Sequence, residues 1–194
     1  MTDEHPLLWH NEWSAIDRDL RVDSQLREDA GHRYRLYRVI QGQQEAAGAV
    51  ALAIRRAAAT EVLLVRHIRP IPGVTLWELP RGIAERTDED MVAAARREFT
   101  EETGLPTESG RSLGSVYPDS GLLANEVAVV AVTLSNGPWS TPDGEVLEAR
   151  WFPVAGLPAL VVSGHLRDGI SLSALALAAT SGALGSMDHL LAAD

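Results

Sequence analysis

The sequence predicts an α/β fold, on three observations. Apolar, β-rich runs recur at Gly48 to Ile54 (GAVALAI), Glu61 to His67 (EVLLVRH) and Glu126 to Leu134 (EVAVVAVTL). A helical pattern from Asp88 to Thr103 follows directly on the strand-like run Leu76 to Gly82. Helical composition returns at Val154 to Arg167 and Ile170 to Thr180.

The helix at the centre has its own start and stop signals. Thr87 is a candidate cap, with Asp90 three residues on to complete a capping box, and Asp88, Glu89 and Asp90 oppose the positive end of the helix dipole. Gly104 followed by Leu105-Pro106 supplies the stop. Val92, Ala95 and Phe99 form one apolar stripe, with Glu98 and Glu102 one above the other along its border and Glu101 on the solvent side. Three carboxylates thus crowd the end where the dipole disfavours negative charge. At roughly 5–6 Å and an effective dielectric of 20, each like-charge pair repels by about 3 kcal/mol. Arg97, at i,i+4 to Glu101, and Arg96 offset part of this. A hard divalent cation such as Mg²⁺ or Mn²⁺ would offset the rest; the plain alternative is a solvated, charge-laced helix face.

Around this helix the chain alternates strand and loop. The stretch Leu7 to Leu20, with Trp9 and Trp13, reads as extended, Ser24 to Arg33 as a polar loop and Tyr34 to Ile40 as a strand. The runs at 48–54 and 61–67 read as a buried hairpin. Further strands are expected at Ser112 to Tyr117, Glu126 to Leu134 and Glu145 to Phe152, with loops at Pro118 to Gly121 and Ser135 to Gly144. The tail from Ser181 is expected to be loosely ordered.

Composition bounds the function classes. The 194 residues, 45% hydrophobic and 23% charged, fit one globular domain. A net charge of −10 gives no footprint for nucleic acid or an anionic membrane, so a phosphate-bearing ligand needs local Arg or metal. With no Cys there is no disulfide, thiolate nucleophile or Cys zinc site. The acidic, polar start and the absence of a spanning apolar run make a cytoplasmic protein the expectation.

The stretch Arg97-Glu98-Phe99-Thr100-Glu101-Glu102-Thr103-Gly104-Leu105 resembles the second half of the Nudix box, R-E-U-x-E-E-x-G-U with U apolar, at every defined position. In the first half Glu89 is correctly placed before Arg97, but Gly82 stands one residue too early, as a one-residue insertion between Gly82 and Thr87 would produce. From Trp9 to Leu175 the chain is similar to the ADP-ribose pyrophosphatase branch of the Nudix hydrolases. Arg66-His67-Ile68-Arg69-Pro70 resembles its V-R-Q-Y-R segment, Trp77-Glu78-Leu79-Pro80 matches its W-E-L-P, Arg81-Gly82 replaces its usual A-G, and Gly164 to Leu175 resembles its C-terminal helical segment. Tyr117-Pro118-Asp119-Ser120-Gly121 departs from its Y-P-S-P-G by a Ser in place of the second Pro.

The resemblance implies a Nudix α/β/α sandwich, a mixed sheet between helices. It also implies an N-terminal β extension over residues 1–45 serving a homodimer, ahead of a Nudix domain at 46–194. It implies metal-dependent hydrolysis of a nucleoside diphosphate sugar, first ADP-ribose to AMP and ribose 5-phosphate. Glu98 and Glu102 become the leading metal ligands, with Glu101 a further ligand or water-orienting base and the Arg81 carbonyl contributing from the backbone. Arg97 fixes the carboxylates. The resemblance also implies a late-loop carboxylate as base, with Glu145 the first candidate and Glu148 its competitor. Arg69 is the candidate for holding phosphate, Glu78 is expected either to meet the ribose or adenine side or to be buried and paired, and the branch's dimers imply that Trp13 or Trp9 reaches a partner's adenine pocket. The alternatives are another NDP-sugar or dinucleotide, such as GDP-mannose or NADH, and a Nudix-fold sensor that binds without cleaving.

Overall fold

The computed structural model describes residues 8–15, 20–42, 46–138, 140, 142 and 144–185; Asp143 and the last part of the expected tail, residues 186–194, lie outside them. The chain divides into two compact units, residues 1–47 with 117–126, and residues 48–116 with 127–194.

The first unit is an antiparallel meander of β1 (His10–Ala15), β2 (Leu20–Asp29) and β3 (His32–Gln41). β2 runs through the stretch expected as a loop. Its polar residues are satisfied across the ladder: Asp23 accepts two bonds from Arg38 at 3.0 and 3.1 Å, and Ser24 accepts from Arg35 at 2.7 Å. Polar pairing replaces the apolar alternation that a sequence reading depends on. Ala30 and Gly31, both with positive φ (48° and 78°), close the β2–β3 hairpin in two residues, as a type I′ turn requires. Register places Trp13, Leu26 and Tyr37 on one face of this sheet, and all three are about half exposed. The 117–126 segment docks on β3 through Val39 N–H to the Leu122 carbonyl and Gln41 N–H to Asn125 Oδ1.

The second unit holds the seven-stranded sheet, in the order β10-β5-β4-β9-β8, with β6 added on β5 and β7 on β4. The strands are β4 (Ala46–Arg56), β5 (Thr60–Arg69), β6 (Val74–Glu78), β7 (Arg81–Ile83), β8 (Thr107–Val116), β9 (Glu126–Leu134) and β10 (Val146–Pro153). β4 and β5 form the expected antiparallel hairpin. Alternate residues go to opposite faces. Ala49, Ala51, Ala53, Leu63, Val65, Val130 and Val132 pack on Ala94, Ala95 and Phe99 of α1 (Met91–Thr103). Val50, Leu52, Val62, Leu64 and Val129 pack on Leu157 of α2 (Leu157–Val162) and on Ala174, Leu175 and Ala178 of α3 (Gly169–Thr180). Two helical layers thus enclose the sheet, the α/β/α sandwich. The helix expected over 154–167 is shorter, a 3₁₀ turn at Val154–Gly156 leading into α2. Among the described residues, no helix is long and apolar enough to cross a membrane.

Candidate functional site

The site grows from the strand–loop–helix passage β7–α1. The helix starts later than its sequence suggests. Asp90 caps it by accepting the Ala93 N–H at 2.8 Å, while the Thr87 hydroxyl turns to Glu85. Asp88 is spent elsewhere: it accepts the Glu85 N–H at 2.8 Å and a two-bonded grip from Arg97 at 3.0 and 3.1 Å. Gly104, left-handed at φ 72°, ends the helix by donating to the Thr100 carbonyl.

Arg97 organises the carboxylates. Besides Asp88, it donates to Glu98 Oε1, Glu101 Oε2 and the Ile83 carbonyl, each at 2.9 Å. All five N–H bonds of the fork are thereby used. Burial acts to lower the Arg97 pKa, but the bonds and charges of Asp88 and Glu98 overcome it and raise it. For Asp88, burial pushes upward and is outweighed by Arg97 and the Glu85 N–H, which hold its carboxyl below the usual range. Glu98 goes the other way. Burial raises its pKa, the Glu101 and Asp88 charges add to that, and Arg97 offsets only part.

Glu98 lies on bare backbone. A β-carbon at Gly82 would fall 2.1–2.2 Å from the atoms of the Glu98 carboxyl group, so only glycine leaves room for that carboxylate against β7. Gly82 thus meets the helix carboxylate although it stands one residue early in the box. Gly82→Ala should displace the flexible end of Glu98 rather than the strand. We expect a melting temperature within about 3 °C of wild type, read by differential scanning fluorimetry, and, if Glu98 is a metal ligand, a fall in Mn²⁺ affinity of roughly 10–100-fold; unchanged affinity would count against Glu98 as a ligand.

Glu102, one turn beyond Glu98, is 4% exposed. Its charge reaches Arg69, whose pKa burial would lower but Glu78, Asp168 and Glu102 together raise. Among the described residues, no three His, Asp or Glu side chains converge as a closed metal cage. The donor set nevertheless fits a small hard cation, which keeps several waters and takes one or two carboxylates plus the ligand's phosphates. The fit rests on oxygen donors in a row on one helix edge, one of them cradled by Gly82.

Arg69 and Glu78 come together at the edge of this region. Arg69 Nε lies 3.0 Å from both Glu78 oxygens and Nη2 lies 2.5 Å from Oε2, while Arg81 Nη2 approaches the same oxygen at 3.2 Å. Glu78 is fully buried and paired with both arginines. The Arg81 side chain continues to Asp168 at 3.1 Å, and Asp168 accepts the N–H and hydroxyl of Ser171, whose oxygen accepts the Leu79 N–H. Asp168 and Ser171 have no counterpart among the sequence-derived site residues. Asp168 directly before an apolar helical run carries a cap signal that marks it.

The two late carboxylates part company. Glu145 lies 4.0 Å from His67 Nε2, and His67 pairs with Val146 on the side of the sheet that α1 covers. His67 is nearly buried, with Nδ1 against the Ile68 carbonyl at 2.9 Å. Glu148 stands opposite Arg66 on the other face, ion-paired with Arg66 and Arg150. Trp13 belongs to the first unit, half exposed on β1.

Known proteins resemble this chain in fold or in sequence. A crystal structure of an ADP compounds hydrolase superposes with a TM-score of 0.69, covering 90% of this chain and 92% of that one at 19% identity, a likeness of fold. A CMP-5′-(N-acetyl-N-hydroxy-3-aminopropyl)phosphonate hydrolase of Streptomyces rubellomurinus is 29% identical over 142 residues, 71% of this chain and 67% of that protein. An uncharacterized Nudix hydrolase, NudL, of Salmonella paratyphi B is 30% identical over 115 residues, 52% of this chain, and the match spans 59% of NudL. The family model of the NUDIX domain matches residues 45–168, well over half of the 194, and with the helix carboxylates, their arginine and the glycine beneath them in place, the chain belongs to the Nudix family.

Proposed function

We propose that this chain hydrolyses the diphosphate bond of a nucleoside diphosphate sugar, ADP-ribose first, to AMP and ribose 5-phosphate. The observation that carries the reading is the Arg97 clamp, which holds Glu98 and Glu101 while Glu98 rests on Gly82. A sensor has no need of this arrangement. The shifted spacing that favoured one leaves the contact between Gly82 and Glu98 intact.

Nudix hydrolases use divalent metals, and Mg²⁺, with Mn²⁺ as substitute, would neutralise the diphosphate and activate water. Glu98 and Glu102 would hold it, with Glu101 and the Arg81 carbonyl as further donors. Arg69 presents a guanidinium already fixed by Glu78 to a phosphate oxygen. Glu145, beside His67, takes the proton from the attacking water as it adds to one phosphorus and the P–O–P bond breaks. The relative that acts on a CMP-linked phosphonate keeps other nucleotide-linked substrates, GDP-mannose and NADH among them, in the same screen. The exposed face bearing Trp13, Leu26 and Tyr37 supports a homodimer in which Trp13 serves the partner's adenine.

The test is chromatography of products from ADP-ribose and other NDP-sugars, with Mg²⁺ or Mn²⁺ and with chelator, alongside light scattering for mass. AMP release that needs metal supports the reading, a different sugar moves the substrate, no turnover sinks it, and a monomer removes Trp13 from the site. Glu145→Gln should lower kcat by roughly 10²–10⁴-fold, while Glu148→Gln, on the far face, should leave it within about twofold. Reversed results would exchange the two.

A further inference from the structure

A cleft of about 390 Å³ is lined by Arg66, Thr75, Leu76, Trp77, Glu148, Arg150 and His165. It lies across the sheet from the α1 carboxylates. Glu148 faces Arg66 across β10 and β5, and Arg66 faces Trp77 across β5 and β6. Trp77 belongs to the core that packs on α2 and α3. The rim is pinned where the Trp77 N–H meets the His165 carbonyl at 2.8 Å, just past the end of α2.

The charges there are poised for an anion. Glu148 contacts Arg150 through Oε1 and sits 3.7 Å from Arg66 through Oε2, so one carboxylate is shared by two guanidiniums. The Arg side chains keep 57% and 44% of their surface exposed. Arg150 is held 5.4 Å from the Trp77 ring centre and 5.8 Å from that of Phe152, which fixes its fork in advance. In a chain of net charge −10, a local excess of positive charge beside the apolar ring of Trp77 is a distinct chemical environment. Its volume falls in the range of small-ligand sites.

We propose that this cleft is a second, non-catalytic site for a phosphomonoester. The phosphate dianion lies between Arg66 and Arg150, displacing Glu148 from both, and the organic remainder rests on the edge of Trp77. Two oxygens of one phosphate can take two guanidinium forks more fully than the single Glu148 carboxylate, which is drawn to two arginines at once.

Calorimetry and Trp fluorescence with AMP, inorganic phosphate and adenosine, in chelator, test this. AMP binding should weaken roughly 10–100-fold in Arg66→Ala/Arg150→Ala, strengthen several-fold in Glu148→Gln, and stay as in wild type in Glu102→Gln. Phosphate binding as tightly as AMP would make the ligand the free anion, and AMP binding more tightly would make it the mononucleotide; both keep the dianion. Adenosine binding as well as AMP, loss of binding in Glu102→Gln, indifference to the double substitution, or no signal from any probe would each overturn it. Should the double variant fail to fold, the sign of the Glu148→Gln change decides alone.

Discussion

Glu102→Gln should lose about three orders of magnitude or more in kcat for metal-dependent diphosphate hydrolysis, because charge stabilisation by a bound cation is worth several kcal/mol and each 1.4 kcal/mol is tenfold. Gln keeps the shape of the side chain and removes its charge. Glu102 is buried in the last turn of α1, one turn from Glu98 and adjacent to Glu101, where the helix dipole already disfavours carboxylates. Removing one negative charge there relieves repulsion, so the melting temperature should lie within about 3 °C of wild type or above it. Lost activity with retained stability marks a residue kept for chemistry at the expense of the fold. Product chromatography and a thermal melt on the same sample decide it. A variant as active as wild type would take the α1 carboxylates out of the mechanism, and a variant that unfolds would make Glu102 a structural residue.

The parts of this site that were legible in sequence are those whose spacing is local. Arg97, Glu98, Glu101 and Glu102 lie on one helix, where periodicity alone brings them together. The buried strands of the β4–β5 hairpin and β9 announced themselves as apolar runs. What stayed hidden depends on chain segments far apart. The role of Asp88 as Arg97's partner needs the loop to fold back over nine residues, and it displaces the cap from Thr87 to Asp90. Arg81 and Asp168, 87 residues apart, meet only once α3 is laid on the sheet. The polar strand β2 was unreadable for a related reason. Its partners are charges on β3, and a ladder satisfied by Asp23–Arg38 leaves no apolar alternation to find. Register also separated Glu145 from Glu148. A bulge between Val146 and Glu148 leaves Val146 opposite His67 and Glu148 opposite Arg66, so Glu148 lies on the face away from the His67 that Glu145 approaches, which residue type could not reveal.

Glu78→Gln should be the most destabilising conservative change in the second unit, costing about 3 kcal/mol. The carboxylate is fully buried and both its oxygens are engaged, by Arg69 and Arg81 together. An amide of the same size offers one acceptor and no charge, and its NH₂ group is turned against a guanidinium donor. Two partly buried cations then face each other with the charges of Asp168 and Glu102 left to balance them. Breaking a buried pair by removing one partner costs roughly 3–5 kcal/mol, and the lower end applies because the two arginines keep 25% and 21% of their side-chain surface in water. For a chain of this size that corresponds to a fall in melting temperature of roughly 6–12 °C. Arg81→Ala should cost less. It leaves the Arg69–Glu78 pair closed and Asp168 bonded to Ser171, and it restores the residue that the resembled branch carries at this position. Thermal melts of the two variants, with KM for the diphosphate substrate measured below the transition, distinguish the contributions. KM should rise in Glu78→Gln, where Arg69 loses its anchor, and hold within about twofold in Arg81→Ala. Equal losses of stability in the two would mean that Glu78 matters through Arg81 and α3 rather than through Arg69, and would move the phosphate-facing role away from that arginine.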